Sequence, residues 1–174
     1  MSSCAAMPLF RLADSIDRLT TAIGRAAAWL ALAIVVLQFV LVVGRYLFDF
    51  GSIWLSEAVI YAHAALFLFA AAWTLKAGGH VRVDVFYAHA SLRRRAAVDL
   101  VGALLLLLPF ALVLLWLSVP FATRSWAILE GSQETSGLPL IFLLKTFIPL
   151  FALLMALQGI AQAIRAWTVL HEPA

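Results

Sequence analysis

The chain has 174 residues, of which 65% are hydrophobic and only 12% charged, with a mean hydropathy of +1.04. A soluble domain carries about a quarter charged residues, and a chain of this length cannot hide so much apolar surface in one water-soluble core, so a membrane is the expected solvent. The formal net charge of +3 is small, so the placement of charge matters more than its sum; no nucleic-acid partner is expected, and the single cysteine, Cys4, excludes an internal disulfide.

The leader before the first apolar run carries Leu9, Leu12, Ile16, Leu19 and Ile23 at spacings of three and four. Arg11, Asp14, Asp17, Arg18 and Arg25 lie mostly off that stripe, which predicts an amphipathic helix leading into the first span, either as a membrane-surface helix or as a docking surface for another subunit. The first span is "AAAWLALAIVVLQFVLVVG" between Arg25 and Arg45. Its long charged leader and the lack of a small-residue cleavage site after Gly44 predict a retained span. Glu57 and Lys76 enclose the second run, "AVIYAHAALFLFAAAWTL". The stretch "LKAGGHVRVDVFYAHASLRRR" then forms the longest polar interruption, and Val81, Val85, Phe86 and Leu92 predict a short segment lying on the membrane. Asp99 and Arg124 enclose the third run, and the fourth extends from about Leu138 to Ile164 with Lys145 inside it. Each run is near the roughly 20 residues that a helix needs to cross about 30 Å of hydrocarbon. Pro109, Pro120 and Pro149 are expected to bend helices or mark their ends, and Gly24, Ala28, Gly159 and Ala163 to allow close helix approach.

Basic residues set the orientation. Nine of the twelve lie in the leader, in the connection between the second and third spans, and in the tail; the other two connections hold only Arg45 and Arg124. The positive-inside rule then places both termini in the cytoplasm. The expected architecture is an all-α membrane protein, a single integral domain over residues 1–174 with four transmembrane helices at about 26–44, 55–75, 100–122 and 138–164.

The candidate chemistry is sparse. His80 and Asp84 have helical i, i+4 spacing, but no further ligand completes a metal shell. His63 lies mid-span without a second intramembrane histidine, so a histidine packed and bonded to a neighbouring helix is expected rather than a haem ligand or proton relay. Arg45, Glu57 and Lys145 are ionisable groups toward the outer side, where an ion pair of Glu57 with one of the two cations would clamp helices. Trp54 falls at a span end, as interfacial aromatics do. Neither catalytic residues nor a cofactor or metal is expected.

Three segments together resemble the small membrane subunit, DctQ type, of tripartite ATP-independent periplasmic (TRAP) transporters. "VVGRYLFDFGSIWLSEAVIYA" is similar to that family's first connection, with Arg45, Tyr46, Trp54 and Glu57 in the matching places; Ser56 stands where a second acid often precedes the Glu. "AAAWTLKAGGHVRVDVFY" matches a basic residue followed by His, an aliphatic and Val-Asp, here Lys76, His80, Val81, Val83 and Asp84. The last span resembles the family's at Pro139, Lys145, Pro149, Gln158 and Arg165.

The resemblance implies a bacterial inner-membrane scaffold. Such a subunit braces a large multi-span subunit that carries the substrate and sodium sites, and helps dock a periplasmic solute-binding protein delivering an organic acid. Its partners would be those two proteins and membrane lipids, with Arg45, Trp54, Glu57, His80, Asp84 and Lys145 as structural or partner contacts. The alternative is an anchor subunit of another complex, such as a haem-bearing oxidoreductase.

Overall fold

The computed structural model describes residues 3–79 and 90–171. Helix α1 spans Ser3–Phe48, α2 Ile53–Lys76, α3 Leu92–Gly102, α4 Leu108–Ala127 and α5 Ile141–His171, with no strand among the described residues. A π-helical turn, Ala103–Leu107, joins α3 to α4. Among the described residues, four helical units are long and apolar enough to cross a membrane, the third made of α3, the π turn and α4 together. They run alternately up and down. The first part of α1, the end of α2, the start of α3 and the end of α5 share one end of the bundle; residues 49–52 and 128–140 form the other.

Local chemistry explains the boundaries. Ser52 caps α2 through its hydroxyl, which accepts from the Leu55 N–H, and Ser91 does the same for α3 with the Arg94 N–H. At the far end of α2, the Gly78 N–H donates to the Leu75 carbonyl and the Gly79 N–H to the Thr74 carbonyl. That is a Schellman closure, with Gly78 in the left-handed region at φ 69°. The end of α4 closes in the same way. The Leu129 N–H donates to the Trp126 carbonyl and the Glu130 N–H to the Ser125 carbonyl, but here a leucine takes the left-handed position, at φ 45°. The π turn has a cause in Pro109. Proline has no N–H to return to the preceding turn, and the Leu108 N–H reaches back to Ala103 across the widened turn. Helix α5 starts at Ile141 rather than at Leu138, because Leu138–Leu140 belong to the connection, where the Leu138 carbonyl accepts from the Ser132 and Leu140 N–H groups.

The leader is helical and leads into the first span as expected, without a break, as the first half of the continuous α1. Its packed face is Ala13, Ile16, Asp17, Thr20, Gly24 and Ala27, all buried, while Leu9, Leu12 and Leu19 stay about half exposed. Ala13 and Ile16 seat against Ala161, Leu157 and Ile164 of α5. In lipid a large apolar side chain gains nothing by leaving the tails, so helices meet through small and polar residues instead.

Helix α5 is the hub, since it packs on α1, α2, α3, the π turn and α4. Its Leu154, Met155 and Ala156 form the main core with Ala72 of α2 and Ala111 of α4. Gly24 of α1 backs onto Trp73, and a Cβ there would lie 2.5 Å from the Trp73 Cβ. Gly159 faces Leu107, where a Cβ would come within 3.0 Å. Ala163 is buried as expected, whereas Ala28 is exposed and takes no part in helix contact. The large apolar side chains point outward: Trp29 is 73% exposed, Phe67 67% and Trp116 76%.

Candidate functional site

Polar side chains gather at the two ends of the bundle. At the end formed by residues 49–52 and 128–140, the Glu57 carboxylate accepts from the Ser132 hydroxyl and, at 2.5 Å, from the Leu138 backbone N–H. Gly137 leaves the room for this, because a Cβ there would overlap both the Ser132 side chain and the Glu57 carboxylate. At the same end, the Lys145 ammonium pairs with Glu130 at 2.5 Å, and the Ser125 hydroxyl donates to the same carboxylate at 2.6 Å. Lys145 also sits 4.3 Å over the Phe121 ring. The Lys145 and Ser125 hydrogen bonds hold the Glu130 carboxyl below the usual carboxylate range. The Trp126 indole N–H donates to the Thr146 hydroxyl at 2.8 Å, which ties α4 to α5 beside this pair.

The expected clamp therefore exists in a different form. Glu57 binds a hydroxyl and a backbone amide, while Lys145, one of the two cations expected for it, is taken by Glu130. Arg45 is exposed at the end of α1 and has no ion-pair or hydrogen-bond partner among the described residues. Trp54 is 51% exposed at the start of α2. His80 and Asp84 lie outside the described residues.

The opposite end holds a network with no counterpart in the sequence reading. Asp17, only 7% exposed, receives the Arg165 guanidinium at 2.5 Å and the Gln158 amide N–H at 2.9 Å. The Thr20 hydroxyl donates to the Gln158 amide oxygen at 2.9 Å, and Arg165 reaches Asp14 at 2.8 Å. Lys76 of α2 donates to the Thr21 hydroxyl at 2.7 Å and to the Asp17 carbonyl at 3.2 Å. Helices α1, α2 and α5 are thus tied at one level. The available signal was the small and polar stripe Ala13–Asp17–Thr20–Gly24, which in lipid marks the packing face.

His63 is also not where it was expected. It lies in the middle of α2 but is exposed, stacked on the equally outward Phe67 at 5.7 Å between ring centroids. Among the described residues, no neighbouring helix receives it.

The fold and its end clamps define a multi-pass membrane protein whose polar groups mainly bind helix to helix. Residues 34–169 match the family described as tripartite ATP-independent periplasmic transporters, DctQ component, and the chain belongs to that family, as a small subunit of a TRAP-type transporter. No curated protein and no solved structure matches the chain.

Proposed function

We propose that this subunit braces the large transport subunit in the bacterial inner membrane, with both termini cytoplasmic, and helps dock a periplasmic solute-binding protein during sodium-coupled uptake of an organic acid. The observation that carries the reading is where the polar groups go. Glu57, Glu130, Lys145, Asp17, Gln158 and Arg165 are engaged in contacts between segments at the two ends of the bundle. Such a unit is stiffened at both membrane faces and, His63 aside, largely apolar between them, which suits a scaffold better than a conduit. The outward His63 supports a protein partner on the α2 face, because a polar ring left in hydrocarbon is costly. Arg45 and Trp54, exposed at the end read as periplasmic, are the candidate contacts for the binding protein. His80 and Asp84 belong to the connection read as cytoplasmic.

The test is uptake by proteoliposomes. Solute should enter only when this chain, the large subunit and the binding protein are all present with an inward sodium gradient, without ATP. Uptake by this chain alone, or undiminished uptake without it, would refute the bracing role. Single cysteines at Ala77 and Thr135 in a Cys4-free background should label from opposite sides of the membrane, Thr135 from outside.

A further inference from the structure

A cavity of about 1030 Å³ opens at the end of the bundle that carries the termini, between α1, α2, α3 and α5. Five basic side chains line it, namely Arg18, Arg25, Lys76, Arg95 and Arg165, against three carboxylates, Asp14, Asp17 and Asp99. Asp14 and Asp17 are both turned to Arg165. Among the described residues, Arg18 and Arg25 are exposed and have no carboxylate partner, and the Lys76 ammonium rests on a hydroxyl and a carbonyl rather than on an acid. Among the described residues the cavity therefore carries an excess of two positive charges, concentrated on the α1–α2 side.

Its position relative to the apolar surface says what the charge is for. Arg18, Ala22 and Arg25 are exposed on α1 at spacings of four and three, and the same face continues into the span through Trp29, Leu32 and Val36, which are 73%, 56% and 52% exposed. Ala22 and Leu75 add apolar lining where the cavity meets this face. A basic site that opens onto a lipid-facing stripe fits a phosphate attached to acyl chains. A free anion would use only half of it. A zwitterionic headgroup would bring an ammonium against Arg18 and Lys76, so the charge balance selects a net negative lipid. We propose that this cavity binds the headgroup of an anionic phospholipid, with the phosphate on Arg18, Arg25 and Lys76 and the acyl chains along the Trp29–Val36 face of α1.

The experiment is native mass spectrometry of the full chain, purified in detergent and loaded with equal amounts of phosphatidylglycerol and phosphatidylcholine. The wild type should retain phosphatidylglycerol in clear excess. The triple variant Arg18→Gln/Arg25→Gln/Lys76→Gln should bring the ratio close to one, each lost charge reducing retention about fivefold. Arg93→Gln/Arg94→Gln, which removes two basic residues outside the cavity, should keep the preference. Ala22→Trp leaves every charge in place and fills the mouth, so it should also lose the lipid; it decides the matter if the triple variant does not fold. Unchanged preference in Ala22→Trp and in a folded triple variant would overturn the proposal. So would displacement of the lipid by millimolar inorganic phosphate, which would make the site one for a free anion.

Discussion

The Glu57 carboxylate holds the Leu138 backbone N–H at 2.5 Å, across 81 residues of chain. Together with the Ser132 hydroxyl on the same carboxylate, this contact fastens the start of α2 to the connection that leads into α5. A carboxylate suits the place because it only accepts, and both groups facing it donate.

Glu57→Gln presents an amide N–H to one of those donors. A lost hydrogen bond to a charged group costs about 1.5–3 kcal/mol, so the thermal midpoint of the purified protein should fall clearly. In double-mutant cycles the loss should be non-additive with Ser132→Ala and additive with Lys145→Gln and Arg45→Gln. Coupling to Lys145 rather than to Ser132 would refute this assignment.

The Lys145–Glu130 pair should make stability fall in acid. Glu130 has its carboxyl held below the usual range, so its contribution is complete above the unfolded-state value and is lost as pH falls through the folded one. Thermal midpoints measured from neutral pH into the acid range should decline more steeply for the wild type than for Glu130→Gln. Parallel curves would show that the pair contributes nothing.

Leu129 holds a left-handed backbone position that an L side chain occupies at a cost of about 1–2 kcal/mol. Leu129→Gly should relieve it and, after the greater chain entropy of glycine, still stabilise by about 0.5–1 kcal/mol. Gly78→Ala, at the equivalent position of α2, should destabilise by a similar amount. Chemical unfolding of both variants gives the comparison, and effects of equal sign would contradict it.

Asp17→Asn leaves Arg165 with only the exposed Asp14 and disturbs the Gln158 amide. Because the Arg165 side chain is 46% exposed, water softens the loss, and we expect about 1–3 kcal/mol. Asp14→Asn, on a side chain 54% exposed, should change stability by less than about 1 kcal/mol. Similar losses in the two variants would argue against a buried network centred on Asp17.

His63→Leu tests the outward face of α2. If a partner subunit covers that ring, the substitution should reduce co-purification with the large subunit while leaving the thermal midpoint of the isolated chain unchanged or raised. If lipid covers it, co-purification should be unaffected.

The number of spans, the places where basic residues collect and the family resemblance were legible in the sequence. They depend on local sums: twenty apolar residues in a row specify a spanning helix whatever it packs against. The end of α2 was legible for the same reason, since the apolar run stops at Lys76, where the helix also ends. The pairings were not. That Lys145 meets Glu130 while Glu57 takes Ser132 and Leu138 depends on how residues 128–140 fold back, with Leu129 forced left-handed and Gly137 leaving space, and no periodicity carries that information. The outward stripe of the leader, Leu9, Leu12 and Leu19, was legible as membrane-facing, but its contact face was not, because in lipid helices meet through small and polar residues, here Ala13, Asp17, Thr20 and Gly24. Only the tertiary structure could decide that Asp17, Gln158 and Arg165 meet, because hydrocarbon gives no reward for apolar burial between helices and leaves the choice of partners to shape and hydrogen bonding.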